Sequence, residues 1–212
     1  MRDVTWIFFD VGGTLVDETD SMHRRVMQTV ALQRSLGREY APEVLERAMR
    51  DAALAGGSYF RGAMRSLGIT AFAPYDAVGE RLYAGTEAVL SSLAARYRLG
   101  VIANQPLGTA ERLDRYGIGR FFTVILSSAE EGVEKPDCEI FLRALARAGC
   151  QASEACMVGD RPDNDIAPAA ALGMRTVRVT QGLGGMMPVT CETMRADATV
   201  SDLTGLIPIF LQ

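Results

Sequence analysis

The sequence predicts an α/β protein: a doubly wound, mostly parallel sheet carrying one inserted, small α-helical domain. Three observations lead there. Six short runs rich in branched and aromatic residues recur along the chain, and most are continuous apolar blocks, the pattern of strands buried on both faces of a parallel sheet. Stretches with apolar residues at helical spacing separate them, as in proteins built from alternating strands and helices. One interval, 17–83, holds helical stripes and no convincing strand.

The first run is Thr5 to Phe9, closed by Asp10. The helical interval follows, with stripes at Met22, Val26, Val30, then Val44, Leu45, Ala48, Met49, Ala52, then Phe60, Ala63, Met64, Leu67. Asp20 and Ser21 are candidate N-caps for its first helix, and Gly56-Gly57 and the Ala71 to Pro74 stretch suit its connections. Beyond it, a stripe at Val89, Leu93, Ala94, Tyr97 precedes the second run, Leu99 to Ala103. A stripe at Leu107, Ala110, Leu113, Tyr116 leads to the third, Phe122 to Leu126. Ile140, Phe141, Ala144, Leu145 and Ala148 mark a further helix before the fourth run, Ala155 to Val158. Arg175 to Val179 and Ala198 to Val200 complete the set, and the glycines between Gln181 and Pro188 suggest a mobile loop. The division expected is a Rossmann-like core of residues 1–16 and 84–212 with residues 17–83 inserted.

Composition excludes several classes. With 212 residues the chain suits one domain plus an insertion, domains of about 100 to 200 residues being usual. Twenty-six acidic against 22 basic side chains, a net charge of -4 and no Lys/Arg stripe argue against nucleic acid as a partner. Only Val4 to Phe9 is apolar near the N-terminus, so neither a signal peptide nor a membrane-spanning helix is expected. Cys138, Cys150, Cys156 and Cys191 form no CxxC pair and there is one His, His23. Buried free thiols in a reducing cytoplasm are the expectation, rather than zinc ligands.

In open α/β sheets ligands sit beyond the carboxyl ends of the strands, so the residues just after each run carry the chemistry. The first run ends in Asp10-Val-Gly-Gly-Thr14 and the second in Ala103-Asn104-Gln105. After the third comes Glu134-Lys135-Pro136, with Lys135 read as a helix start, and after the fourth comes Gly159-Asp160 followed by Asn164-Asp165. Three carboxylates, an amide and a lysine thus converge on one edge. Carboxylates without histidines suit a hard, oxygen-ligated cation, Mg2+ being usual with phosphate. A lysine there offsets phosphoryl and carboxylate charge, and an Asp with exposed oxygens is a nucleophile toward phosphorus.

These four segments, in this order and spacing, resemble the haloacid dehalogenase superfamily of hydrolases, over nearly the whole chain. The resemblance implies that 17–83 is a helical cap that closes over the site and selects substrate, a small phosphorylated molecule. It implies that Asp10 is the nucleophile, that Lys135 bridges Asp10 and phosphate, that Gly13, Thr14, Asn104 and Lys135 contact substrate, and that Asp10, the Gly12 carbonyl, Asp160 and Asp165 hold Mg2+. Two positions depart from the phosphatase pattern. Where the family's phosphatases carry a second Asp that protonates the leaving oxygen and activates water, this chain has Gly12; where they have Ser or Thr after the second strand, it has Ala103. Asp17, Glu18 or a cap residue are candidates for the missing proton transfer, and spacing alone puts none of them at the site. Losing such help costs about 10^2 to 10^4 in rate.

Branches of the family without the second Asp include phosphonate-cleaving enzymes, ATP-driven pumps and metal-free dehalogenases, and a weakly active or regulatory phosphate- and Mg2+-binding protein is a further alternative. Asp-Val-Gly-Gly-Thr also resembles the first phosphate loop of sugar kinases, in which another strand follows; here Leu15-Val16 leads into Asp20-Ser21 and a helix. The bland reading of His23 is surface or satisfied packing, and that of Met22, Met27, Met49 and Met64 is core filler. Asp163 reads as loop surface, and Arg161 as solvated or guarding the cleft mouth. The apolar cap face fits either the core or a second subunit, leaving oligomeric state open.

Overall fold

Trp6, Ile7, Phe8 and Phe9 are all buried, and their alternation supplies two cores at once. Ile7 and Phe9 pack into one hydrophobic cluster with Val101, Val158 and Val177, while Trp6 and Phe8 point the other way, against Ile102, Phe141 and Met157. The computed structural model describes residue 1 and residues 3–211; residues 2 and 212 of the expected core lie outside the described residues. The elements run β1 (Trp6–Phe9), β2 (Val16–Asp17), α1 (Thr19–Ser35), α2 (Pro42–Ala55), α3 (Tyr59–Ser66), β3 (Arg81–Leu82), α4 (Thr86–Ala94), β4 (Arg98–Ala103), α5 (Thr109–Arg115), β5 (Phe122–Ser127), α6 (Ser128–Glu131), α7 (Cys138–Ala148), β6 (Ala155–Gly159), α8 (Ala167–Ala171), β7 (Arg175–Val179), β8 (Ala198–Val200) and α9 (Leu206–Phe210).

All six expected runs are strands of one sheet, ordered β5-β4-β1-β6-β7-β8. Every pairing in it is parallel. From β1 the chain winds outward through β4 and β5, then crosses back to β6 on the other side of β1 and winds outward again. The loops after β1 and β6 therefore leave in opposite directions, which opens a crevice at the carboxyl ends of those two strands. Helix α7 shows how local sequence sets an element: Asp137 accepts from Glu139 N at 2.9 Å as N-cap, the Ile140, Phe141, Ala144, Leu145, Ala148 stripe is buried, and Gly149 ends the helix left-handed at φ 64°.

Helices α1 to α3 form the insertion, with their own hydrophobic cluster of Met22, Val26, Val30, Leu45, Met49, Phe60, Ala63, Met64 and Ile69. Leu183, from the loop after β7, packs against that cluster and joins it to the sheet. Two expectations change here. The interval is not strand-free at its ends, because Val16 and Asp17 pair antiparallel with Leu82 and Arg81; two-residue strands are too short to leave a periodic signal. Nor do Asp20 and Ser21 cap α1: the Asp17 carboxylate accepts from Thr19 N at 3.0 Å, and Asp20 lies inside the first turn.

Other positions also differ. Met22, Met49 and Met64 are buried, but Met27 and Val44 are exposed. Leu107 lies ahead of α5 and is exposed. Cys156 is buried, whereas Cys138 and Cys150 are half-buried and Cys191 is exposed, all four being free. The Gln181 to Pro188 loop is tethered, since the buried Arg178 donates to the carbonyls of Gly184 at 3.2 Å, Gly185 at 3.0 Å and Met187 at 2.7 Å. Among the described residues no helix is long and apolar enough to cross a membrane.

Candidate active site

Asp10 follows β1 and keeps the ladder going, its N–H donating to Val158 O at 2.9 Å, so its side chain starts at the crevice between β1 and β6. Asp160 follows β6. Asp165 lies one turn farther, in a π-helical turn over Pro162–Ile166, with its Oδ2 accepting from Arg161 N at 3.0 Å. Oxygens of Asp10, Asp160 and Asp165 lie within 4.8 Å of one another, and all three residues are buried.

Lys135 enters this cluster from the β5 side. Its Nζ is 2.8 Å from Asp10 Oδ1 and 2.5 Å from Asp165 Oδ1, and its side chain is 2% exposed. Lys135 is not at a helix start, because α7 begins at Cys138; the residue lies in the turn ahead of it. What holds it is Asn104, whose Nδ2 donates to Lys135 O at 2.8 Å while its Oδ1 accepts from Lys135 N at 2.7 Å. The side chain of Asn104, expected on the substrate, is hydrogen-bonded through both its oxygen and its nitrogen to the backbone of Lys135. The Thr14 hydroxyl is likewise buried, 3.5 Å from Asp160 Oδ1.

The charges are mutually dependent. Burial, then the charges of Asp165 and Asp10, push the Asp160 carboxyl well above the usual carboxylate range. Burial raises Asp165 to about 6 against the pull of Lys135. Burial alone would lower the Lys135 ammonium, but Asp10 and Asp165 outweigh it and hold it above its ordinary value. Three buried carboxylates facing one lysine carry surplus negative charge, and their oxygens are the hard donors a Mg2+ ion takes, so the donor set fits that metal.

Gly12 carries no side chain, and a Cβ built there would lie 2.5 Å from Oε1 of Glu18. The turn after Asp10 explains this neighbour. Val16 N donates to Val11 O and Gly13 N to Val16 O, both at 2.9 Å, bringing residue 16 back beside residue 12. The Glu18 carboxylate is held 3.4 Å from both Gln105 Nε2 and Arg112 Nη2. Arg112 Nε also binds Glu80 Oε2 at 2.8 Å, and Tyr116 and Tyr75 donate to Glu80. Burial pushes the Glu18 carboxyl up to about 7, opposed by Arg112 and reinforced by Glu80.

A cavity of about 440 Å³ opens onto this edge. Gly13, Glu18 and Asp160 line its floor, Met22, Val26, Met49 and Tyr59 its cap side, and Gly182 to Gly184 its wall. A Cβ on Gly184 would collide with the Asp160 carboxylate, so the loop held by Arg178 packs directly on the cluster. His23 and Glu46, 2.7 Å apart, also line the cavity. Arg161 pairs with Asp163 at 2.6 Å, half-buried rather than solvated.

The carboxylates and the lysine are thus legible in the sequence and Glu18 is one of several candidates there, whereas nothing in it assigns Gln105, Arg112, Glu80, Tyr59 or Arg178 to the site. Arg178 had a signal, a basic residue inside an apolar run; Arg112 had none, since an arginine on a surface-period helix is ordinary.

A model of the haloacid dehalogenase-like hydrolases matches residues 4–173. The glyceraldehyde 3-phosphate phosphatase of Methanocaldococcus jannaschii is 30% identical, the match covering 96% of this chain and 95% of that one. A phosphoglycolate phosphatase of Yersinia pseudotuberculosis is 28% identical, covering 98% and 93%. The fold is similar to that of a crystallised HAD phosphatase from Thermococcus onnurineus, with TM-score 0.73, 23% identity and 97% of both chains covered.

Proposed function

The chain belongs to the haloacid dehalogenase-like hydrolases, and from that premise we propose that it hydrolyses a small phosphorylated metabolite through a covalent intermediate on Asp10. The observation that carries this reading is the placement of Lys135 Nζ 2.8 Å from Asp10 Oδ1, at the crevice between β1 and β6. That ammonium neutralises a phosphoryl group arriving at Asp10 without blocking its other oxygen. The cavity volume suits a short-chain phosphomonoester, and the named substrates of the two relatives are of that size.

Asp10, the Gly12 carbonyl, Asp160 and Asp165 are the residues that would hold Mg2+. The ion, when bound, supplies Lewis-acid charge at the phosphoryl oxygens. Lys135 binds phosphate and, 2.8 Å from Asp10 Oδ1, orients that carboxylate as the nucleophile. Gly13 admits the phosphate beside the backbone, and Thr14 supports Asp160. Residues 1–16 and 84–212 act as the catalytic core and 17–83 as a cap joined to it at the β2–β3 ribbon, with Tyr59, Met22 and Met49 lining the cavity opposite Gly13 and Asp160.

The experiment is turnover of phosphomonoesters, an acyl phosphate and a phosphonate with Mg2+, beside an Asp10→Asn control. Asp10-dependent phosphate release from a phosphomonoester is the expected result. Binding of Mg2+ and phosphate without Asp10-dependent product replaces it with the binding or regulatory reading. Release only from the phosphonate, or halide release from a 2-haloacid with chelator present, moves the chain to one of the other branches.

A further inference from the structure

We propose that Glu18 is the proton-transfer residue of this site, its carboxyl occupying the space that a side chain on residue 12 would fill beside Asp10. The inference rests on the Asp10-centred phosphatase reading above. Gly12 removes a carboxylate from the loop after the nucleophile, and the turn from Val11 to Val16 returns another from six residues on. All three atoms of the Glu18 carboxyl group lie within 2.6 Å of where a residue-12 Cβ would stand. Arg112 and Gln105 fix its direction from behind, and Glu18 lines the cavity together with Gly13 and Asp160.

The other candidates have other commitments. Asp20 pairs with Arg81 on the surface, Glu46 with His23, and Asp163 with Arg161. Asp17 accepts from Thr19 N at 3.0 Å and pairs with Arg81 at 2.9 Å. Lys135 is held between Asp10 and Asp165. Among the described carboxylates that line the cavity, Glu18 is the one with neither a surface ion pair nor a place in the Asp10, Asp160, Asp165 cluster.

The steps balance with this single group. An Asp10 oxygen forms a bond to phosphorus as the ester P–O bond breaks, and the Glu18 carboxyl gives its proton to the departing alkoxide, releasing the alcohol. The Glu18 carboxylate then takes a proton from water, whose oxygen attacks phosphorus. The P–O bond to Asp10 breaks, and inorganic phosphate leaves with Asp10 ionised and Glu18 protonated again.

The test uses full-length wild type, Glu18→Gln, Glu18→Ala and the swap Gly12→Asp/Glu18→Ala, each checked for folding by circular dichroism, with Mg2+. On an alkyl phosphate, Glu18→Gln is expected to lose about 10^2 to 10^4 in kcat, as for removal of a general acid and base. p-Nitrophenyl phosphate has a leaving group that needs no proton. With it, Glu18→Gln is expected to give a stoichiometric burst of nitrophenol and to accumulate phosphorylated protein by mass, because only the water step is stalled. The swap, which moves the carboxyl onto residue 12, is expected to recover about tenfold or more over Glu18→Ala. Turnover of Glu18→Gln within about threefold of wild type overturns the proposal, well short of the loss general acid–base removal brings. A loss with neither burst nor recovery in the swap also overturns it, since that is what a structural role produces. Wild type without Asp10-dependent turnover overturns the phosphatase reading and this one together, whereas either of the former results removes Glu18 alone.

Discussion

The carboxamide of Asn104 closes two hydrogen bonds on the backbone of one residue, donating to Lys135 O at 2.8 Å and accepting from Lys135 N at 2.7 Å. The end of β4 is thereby joined to the turn after α6, and the ammonium that reaches Asp10 is aimed by a side chain that does not itself touch Asp10. Asn104→Ala leaves both backbone groups to find other partners. We expect kcat to fall by about tenfold to a hundredfold from misplacement of Lys135, and the protein to lose about 1–3 kcal/mol of stability. Kinetics with urea denaturation check this; unchanged kcat removes the positioning role.

Lys135→Met removes the cation held between Asp10 and Asp165. Breaking a buried pair from one side costs about 3–5 kcal/mol. The sign with pH follows from Asp165, raised to about 6: below that pH its carboxyl is neutral and needs the lysine less. The variant is expected to be most destabilised relative to wild type near pH 8 and least near pH 5, without added metal. Equal loss at both pH values contradicts the pairing.

Metal-free protein should lose stability as pH rises from about 4 toward 7, the ordinary carboxylate range to the raised values. Asp160, Asp165 and Glu18 are all raised, so over that window the folded state binds more protons than the unfolded chain. Mg2+ added to the ionised carboxylates is expected to reverse the trend, stabilising by about 2.7 kcal/mol at a hundredfold excess over Kd. Tm with chelator and with Mg2+ at pH 5 and pH 8 measures it. A larger Mg2+ effect at pH 5 than at pH 8 rules the three-carboxylate site out.

Arg112 touches Glu80 through Nε, Gln105 through Nη1 and Glu18 through Nη2, with its side chain 6% exposed. Lysine reproduces the charge and not the fork. Arg112→Lys is expected to lower Tm and to reduce kcat by misdirecting Glu18, and Arg112→Ala to leave the buried Glu80 unpaired at a cost of about 3–5 kcal/mol. Near-wild-type thermal melts for both variants count against this.

Arg178→Met frees the carbonyls of Gly184, Gly185 and Met187. Protease cleavage between residues 181 and 188 is expected to speed up, and KM to rise because that loop walls the cavity. A cleavage pattern identical to wild type shows that the loop holds without Arg178.

Much of the architecture was legible because it is encoded locally. The Trp6–Phe9 block, the Ile140 to Ala148 stripe and the order of the four strand-end motifs each report which faces are buried over a few residues, and that is what a parallel sheet with covering helices requires. The two-residue strands β2 and β3 were not legible, since Val16-Asp17 and Arg81-Leu82 pair only because the intervening helices return the chain. The sequence places Lys135 in the right neighbourhood but not in its true local context, because Asp137, two residues later, is the cap.

The fold class, the helical insertion and the convergence of Asp10, Lys135, Asp160 and Asp165 on one edge are legible along the chain, because residue periodicity and strand order follow from local burial. That Glu18 stands beside Gly12, that Asn104 holds Lys135, and that Arg112 and Arg178 brace their neighbours are outcomes of long-range packing. Those contacts depend on how a turn closes and which helix lies behind it, and side chains far apart in the chain meet through packing that no single stretch of sequence specifies.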